Sequence, residues 1–61
     1  MPDIKRLREN LGITQSKLAR MVGVSQETLS RYESGKRKIP VDVAIRIAKE
    51  LKTSVESLFL R

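Results

Sequence analysis

The chain contains no cysteine and no histidine. Without them neither a disulfide framework nor a Cys/His zinc site can staple the fold, so apolar side chains must hold it together alone. Aspartate is scarce as well, with only Asp3 and Asp42. General acid/base chemistry needs paired titratable groups in an enclosing pocket, and a chain of 61 residues has little bulk from which to build one. An enzyme is therefore not expected, and the residues present imply no metal, no cofactor and no small-molecule ligand. Long apolar runs are also missing, since none approaches the roughly 18 consecutive residues that span a bilayer. The start, Met1-Pro2-Asp3, lacks the basic-then-apolar layout of a secretory signal, so a cytoplasmic location is expected.

What is present suits one small domain. A chain this short buries only about 60% of the surface that its unfolded form exposes, which leaves no core for a second unit, and residues 1–61 read as a single domain. Apolar residues make up 39% of the sequence and fall in short periodic groups. Thirteen Lys and Arg against seven Asp and Glu give a net charge of +6, an imbalance suited to a polyanionic partner. The charge is uneven: between residues 31 and 38, Arg31, Lys36, Arg37 and Lys38 face Glu33 alone. Such a cluster on a turn is either a solubilising surface or a place where a phosphate approaches.

The periodicity predicts five helices and no sheet, because no stretch alternates strictly enough for a strand. Ile4, Leu7 and Leu11 recur at helical spacing after a possible N-cap at Asp3, and Gly12 suits a helix end, giving a first helix over about residues 2 to 11. Thr14 can cap a second helix that buries Leu18, Ala19 and Val22 and stops at Gly23. Ser25 can cap a third, over about 25 to 34, with Leu29 and Tyr32 on its inner side and Gly35 at its stop. Pro40 suits the first turn of a fourth helix, whose expected stripe is Val41, Ala44, Ala48 and Leu51, widened by Ile45 and Ile47. A short fifth can start at Thr53 or Ser54, where Thr53 and Glu56 fit a capping box and Val55, Leu58 and Phe59 supply apolar contacts.

The informative segment runs from Gln15 to Tyr32. Two short amphipathic helices joined by a few residues around Gly23 must cross steeply; Ala19 is small enough to let them approach, and Gly23 can take a positive φ. Val24, Leu29 and Tyr32 would fill the angle between them. One helix is thereby held out with its first turn exposed, the geometry needed to enter a groove about 12 Å wide. Gly12-Ile13-Thr14-Gln15, Leu18-Ala19, Val22-Gly23-Val24-Ser25, Glu33-Ser34-Gly35-Lys36 and Ile47-Ala48, in this order and spacing, resemble the helix-turn-helix family of phage lambda-type repressors and Cro proteins, the Xre-like regulators. The resemblance covers nearly the whole chain and implies a compact all-α, five-helix domain that binds double-stranded DNA as a transcriptional regulator, a repressor above all.

The same resemblance implies roles for particular residues. Gln15, first in the second helix, would meet a phosphate, with Ser25 and Ser30 as further phosphate contacts. Gln26, Glu27 and Thr28, in the first turn of the third helix, would read base edges. Their chemistry agrees, since Gln pairs with adenine, Glu accepts from the cytosine amino group and the Thr methyl meets a thymine methyl. Arg31, one turn on, reaches guanine or a phosphate. Lys36, Arg37 and Lys38 would touch the backbone and position the protein without carrying sequence information. Arg8 and Glu33 would form a structural ion pair tying the third helix to the first. Glu27 stands where some relatives have a second Gln, and Arg31 where some have a neutral residue, so no relative's operator transfers to this chain.

The main competing reading is a protein-interaction module, antitoxin-like or adaptor, built on the same fold. It would be expected to show apolar or aromatic anchors on the outer face of the third helix, where this chain has Gln26, Glu27, Ser30 and Arg31. Membrane-surface binding fits less well, because the cations sit on a turn and not along one helix face. A complete Cro-like regulator, an antitoxin-like or restriction-control-like protein, and the DNA-binding part of a larger repressor all fit the sequence. Val55, Leu58, Phe59 and Leu60 crowd the end of the chain. They either complete the core or, with the fourth helix, form a homodimer contact that pairs two recognition helices about 34 Å apart, at least on DNA.

Overall fold

The computed structural model describes residues 2–59 and consists of five helices, with no strand among those residues. They are α1 (Ile4–Asn10), α2 (Gln15–Val22), α3 (Gln26–Ser34), α4 (Val41–Glu50) and α5 (Val55–Phe59). The all-α architecture expected from the periodicity is the one found. Ile4, Leu18, Val22, Leu29, Ile47 and Leu58 are fully buried, so every helix sends at least one large side chain into a single core. Tyr32, Ala44, Ala48 and Leu51 join them, and Leu7, Ile13, Val24 and Ile39 pack against the outside of this cluster.

Helix boundaries follow local chemistry. Thr14 Oγ1 accepts from the Lys17 N–H at 3.1 Å, and Ser25 Oγ accepts from the Thr28 N–H at 3.0 Å, so both expected caps form. Gly23 closes α2 at φ 80° and lets the Gly23 and Val24 N–H groups both reach Ala19 O at 3.0 Å. Those two hydrogen bonds to one carbonyl satisfy the helix end and turn the chain sharply into α3.

Four expectations are corrected. Helix α1 starts at Ile4, two residues later than expected, and Asp3 holds the N-cap position without capping it. Its φ of −98° and ψ of 28° are not the extended values a cap needs, and its carboxylate instead accepts from Arg6 Nε at 2.8 Å. Leu11 does not serve the core as its spacing suggested, being 45% exposed at the end of α1. Helix α4 begins after Pro40, and of its expected apolar face Ala44, Ile47, Ala48 and Leu51 are buried, whereas Val43 takes the inner place expected of Val41 and Ile45. Val41 and Ile45 point outward at 75% and 53% exposure. Val41 and Val43 both fit a helical period with these residues; the seat of α4 against both α2 and α5 selects Val43. Finally, the capping box expected at Thr53 does not form, and of the two expected starts Ser54 is the one found, its Oγ accepting from the Ser57 N–H at 3.1 Å. The Thr53 N–H is already committed to Ala48 O at 2.9 Å, where it closes α4.

Candidate nucleic-acid interface

Helix α3 is amphipathic across its width. Leu29 and Tyr32 are buried, whereas Gln26, Glu27, Ser30 and Arg31 are exposed. The exposed four occupy positions i, i+1, i+4 and i+5, which is one helical face. It carries hydrogen-bonding and charged groups and no apolar anchor. Glu27 Oε2 and Arg31 Nη2 on this face are 3.0 Å apart, with side chains 76% and 53% exposed. Thr28 is half-buried and its hydroxyl oxygen accepts from Ser25 Oγ at 2.8 Å.

Beneath the face lies a chain of polar contacts. Arg8 Nε and Nη2 donate to the two Glu33 carboxylate oxygens at 2.8 and 3.2 Å, and Arg8 Nη1 donates to Ile13 O at 2.9 Å. Both side chains of the pair are less than a tenth exposed. The hydrogen bond to Glu33 raises the Arg8 guanidinium above its ordinary value and outweighs the burial that lowers it. Glu33 Oε1 also accepts from Gln15 Nε2 at 3.1 Å, and Gln15 Oε1 accepts from Gln26 Nε2 at 3.4 Å. A forked pair between α1 and α3 therefore holds Gln15 at the head of α2, and Gln15 in turn meets the first residue of α3. No buried side-chain polar atom among the described residues lacks a partner.

The remaining site residues fall around this face. Ser30, Gln15 and Glu33 line one open cleft together with Lys5. Lys5 was not singled out in the sequence, although its place three residues before Arg8 on α1 puts the two on neighbouring positions of one face. Lys36, Arg37 and Lys38 follow α3 and are all exposed, but Arg37 and Lys38 line a different groove, against Pro2, Ile39 and Phe59. The basic loop is thus set apart from the cleft that holds Gln15 and Ser30.

A family model described as helix-turn-helix matches residues 4–58. The chain belongs to the helix-turn-helix family of lambda-repressor-like regulators. This family consists of DNA-binding transcription regulators and not of enzymes. An HTH-type transcriptional regulator of Archaeoglobus fulgidus is 37% identical over 57 residues, covering 93% of this chain and 81% of the relative. An HTH-type transcriptional regulatory protein of Pyrococcus furiosus is 43% identical over 44 residues, which are 72% of this chain but only 14% of that much longer relative. Among solved structures, the P22 c2 repressor in complex with a synthetic operator superposes with a TM-score of 0.85 at 31% identity, covering 90% of this chain and 83% of that one. SinR, a master regulator for biofilm formation, in complex with DNA gives 0.83 at 29% identity, covering 93% and 92%. Within the matched residues, the turn at Gly23 to Ser25 joins α2 to α3.

Proposed function

We propose that this helix-turn-helix chain is a sequence-specific repressor that places α3 in the major groove of double-stranded DNA. The observation that carries the reading is the outer face of α3, four exposed polar residues whose leading Gln26 is held through Gln15 by a buried ion pair. A preorganised polar face suits base edges, whereas a protein-docking face would present apolar anchors. Gln26, Glu27 and Arg31 read bases. Thr28 meets a thymine methyl with its own. Gln15 and Ser25 meet phosphates near the two helix starts, where unpaired N–H groups and the helix dipole favour an anion, and Ser30 meets one from the middle of α3. Ser25 gives its hydroxyl proton to Thr28, so its phosphate contact falls to the backbone N–H. Lys36, Arg37 and Lys38 add backbone contacts on a second strand segment.

Two copies would act together. Val41 and Ile45 on α4, and Val55 and Phe59 on α5, leave apolar surface exposed at i, i+4 spacing on both helices that the sequence nominated for a homodimer. Leu58 belongs to the monomer core instead, and Leu60 lies outside the described residues.

Selection from a random duplex library at physiological salt tests the reading. The expected result is a two-fold symmetric site bound at least about a thousandfold more tightly than scrambled DNA. The Lys36→Ala, Arg37→Ala, Lys38→Ala triple variant should then lower the slope of log affinity against log salt by about 0.9 for each phosphate that the loop no longer neutralises. No enrichment, with weak binding that vanishes as salt rises, would overturn specific recognition and bring the protein-interaction reading forward.

A further inference from the structure

The exposed Glu27–Arg31 pair poses a physical question, because a carboxylate on a face that meets a polyanion is repelled by it. Arg31 answers the charge: its Nη2 lies 3.0 Å from Glu27 Oε2, so the face as a whole is neutral and attraction is left to the basic loop. Neither side chain makes another hydrogen bond or ion pair among the described residues. The two therefore stand as one outward-facing unit, an acceptor and a donor held side by side.

That spacing matches a feature of DNA. Across the major-groove edge of a G·C pair, the cytosine N4 donor and the guanine O6 acceptor are joined by a Watson–Crick hydrogen bond and so lie about 2.9 Å apart. We propose that Glu27 and Arg31 read a single G·C pair jointly, the carboxylate accepting from cytosine N4 while the guanidinium donates to guanine O6 and N7. The fit is directional. Guanine presents two adjacent acceptors to the guanidinium, whereas an A·T pair places a donor between its acceptors and ends in the thymine methyl. Reversing the base pair exchanges the donor and acceptor sides, which a pair fixed along α3 cannot follow. The consequence is one position per half-site with a G·C pair in a fixed orientation. This inference rests on the major-groove reading above.

Library selections with the wild-type chain, E27Q, R31A and the double variant test it, with thermal melting to verify folding; both side chains are exposed and hydrogen-bond only to each other among the described residues, so all four are expected to fold. The expected outcome is a G·C pair of fixed orientation at one position in the wild type, with that preference reduced at least about fivefold in either single variant and no further in the double. Preferences elsewhere in the site should persist. If the two substitutions alter different positions, or if neither alters any, joint reading is overturned while major-groove recognition stands. A wild type that selects no sequence overturns the major-groove reading and this inference with it.

Discussion

Arg8 and Glu33 are charged residues placed where the chain can ill spare hydration, and their geometry shows how the cost is met. The guanidinium forks onto the carboxylate and its third contact goes to Ile13 O, so the buried donors are used locally. Removing one partner leaves the other charge buried and alone, which costs roughly 3 to 5 kcal/mol. Arg8→Ala and Glu33→Gln should therefore each lower the melting temperature by more than about 12 °C, at roughly 4 to 8 °C per kcal/mol for a domain this small. A shift of only a few degrees would mean that the pair behaves as an exposed one. Replacing both partners with apolar residues, Arg8→Met with Glu33→Leu, should recover most of that stability yet still weaken DNA binding, because Gln15 loses its acceptor. Stability and binding thus separate in one double variant. Alkalinity does not offer a substitute for these variants. A raised folded-state pKa contributes stability that is complete below the unfolded value and is lost only as pH climbs through the folded one, and for a guanidinium that window lies far above neutrality.

The elements differ in how far their own residues define them. Helices α2 and α3 begin at hydroxyl caps and end at glycines, signals that act within a few residues, and both were legible in the sequence. Helices α4 and α5 were less so. In α4 the inward places of Ala44, Ile47, Ala48 and Leu51 were legible, but that Val43 turns inward while Val41 and Ile45 turn out is set by packing against α2 and α5, which no local pattern encodes. Of the two expected starts of α5, the way α4 ends leaves Ser54 and not Thr53. There Lys52 takes φ 58°, a left-handed value found here in a residue other than glycine, so that the Thr53 N–H can reach Ala48 O. A side chain in that region costs about 1 to 2 kcal/mol, partly offset when the alternative is a glycine that loses more chain entropy on folding. Lys52→Gly should therefore stabilise the domain by about 0.5 to 1 kcal/mol and raise its melting temperature by a few degrees. A lower melting temperature would show that the Lys52 side chain contributes more than its backbone costs. The candidate site follows the same division: the polar face of α3 was readable from spacing, whereas the link from Gln15 to Gln26 and the cleft that Lys5 lines with Ser30 depend on how three helices meet.

The whole molecule sets the last constraint. Its Cα trace extends only 24 × 23 × 18 Å and presents one α3, whereas successive major grooves on one side of a duplex are about 34 Å apart. One copy cannot reach both, so a two-fold site requires a second. The faces proposed for that contact are Val41 and Ile45 on α4 with Val55 and Phe59 on α5, which lie outside the core. Val41→Ser with Ile45→Ser should leave the melting temperature of the monomer nearly unchanged, since both side chains are already more than half exposed. Affinity for a duplex carrying a single half-site should stay at the wild-type value, because α3 and its supporting ion pair are untouched. Affinity for the full two-fold site should fall toward that half-site value, because the second copy no longer binds with help from the first. Equal full-site affinity in wild type and variant would place the contact between copies elsewhere, whereas a fall at both sites alike would mean that α4 supports α3 directly.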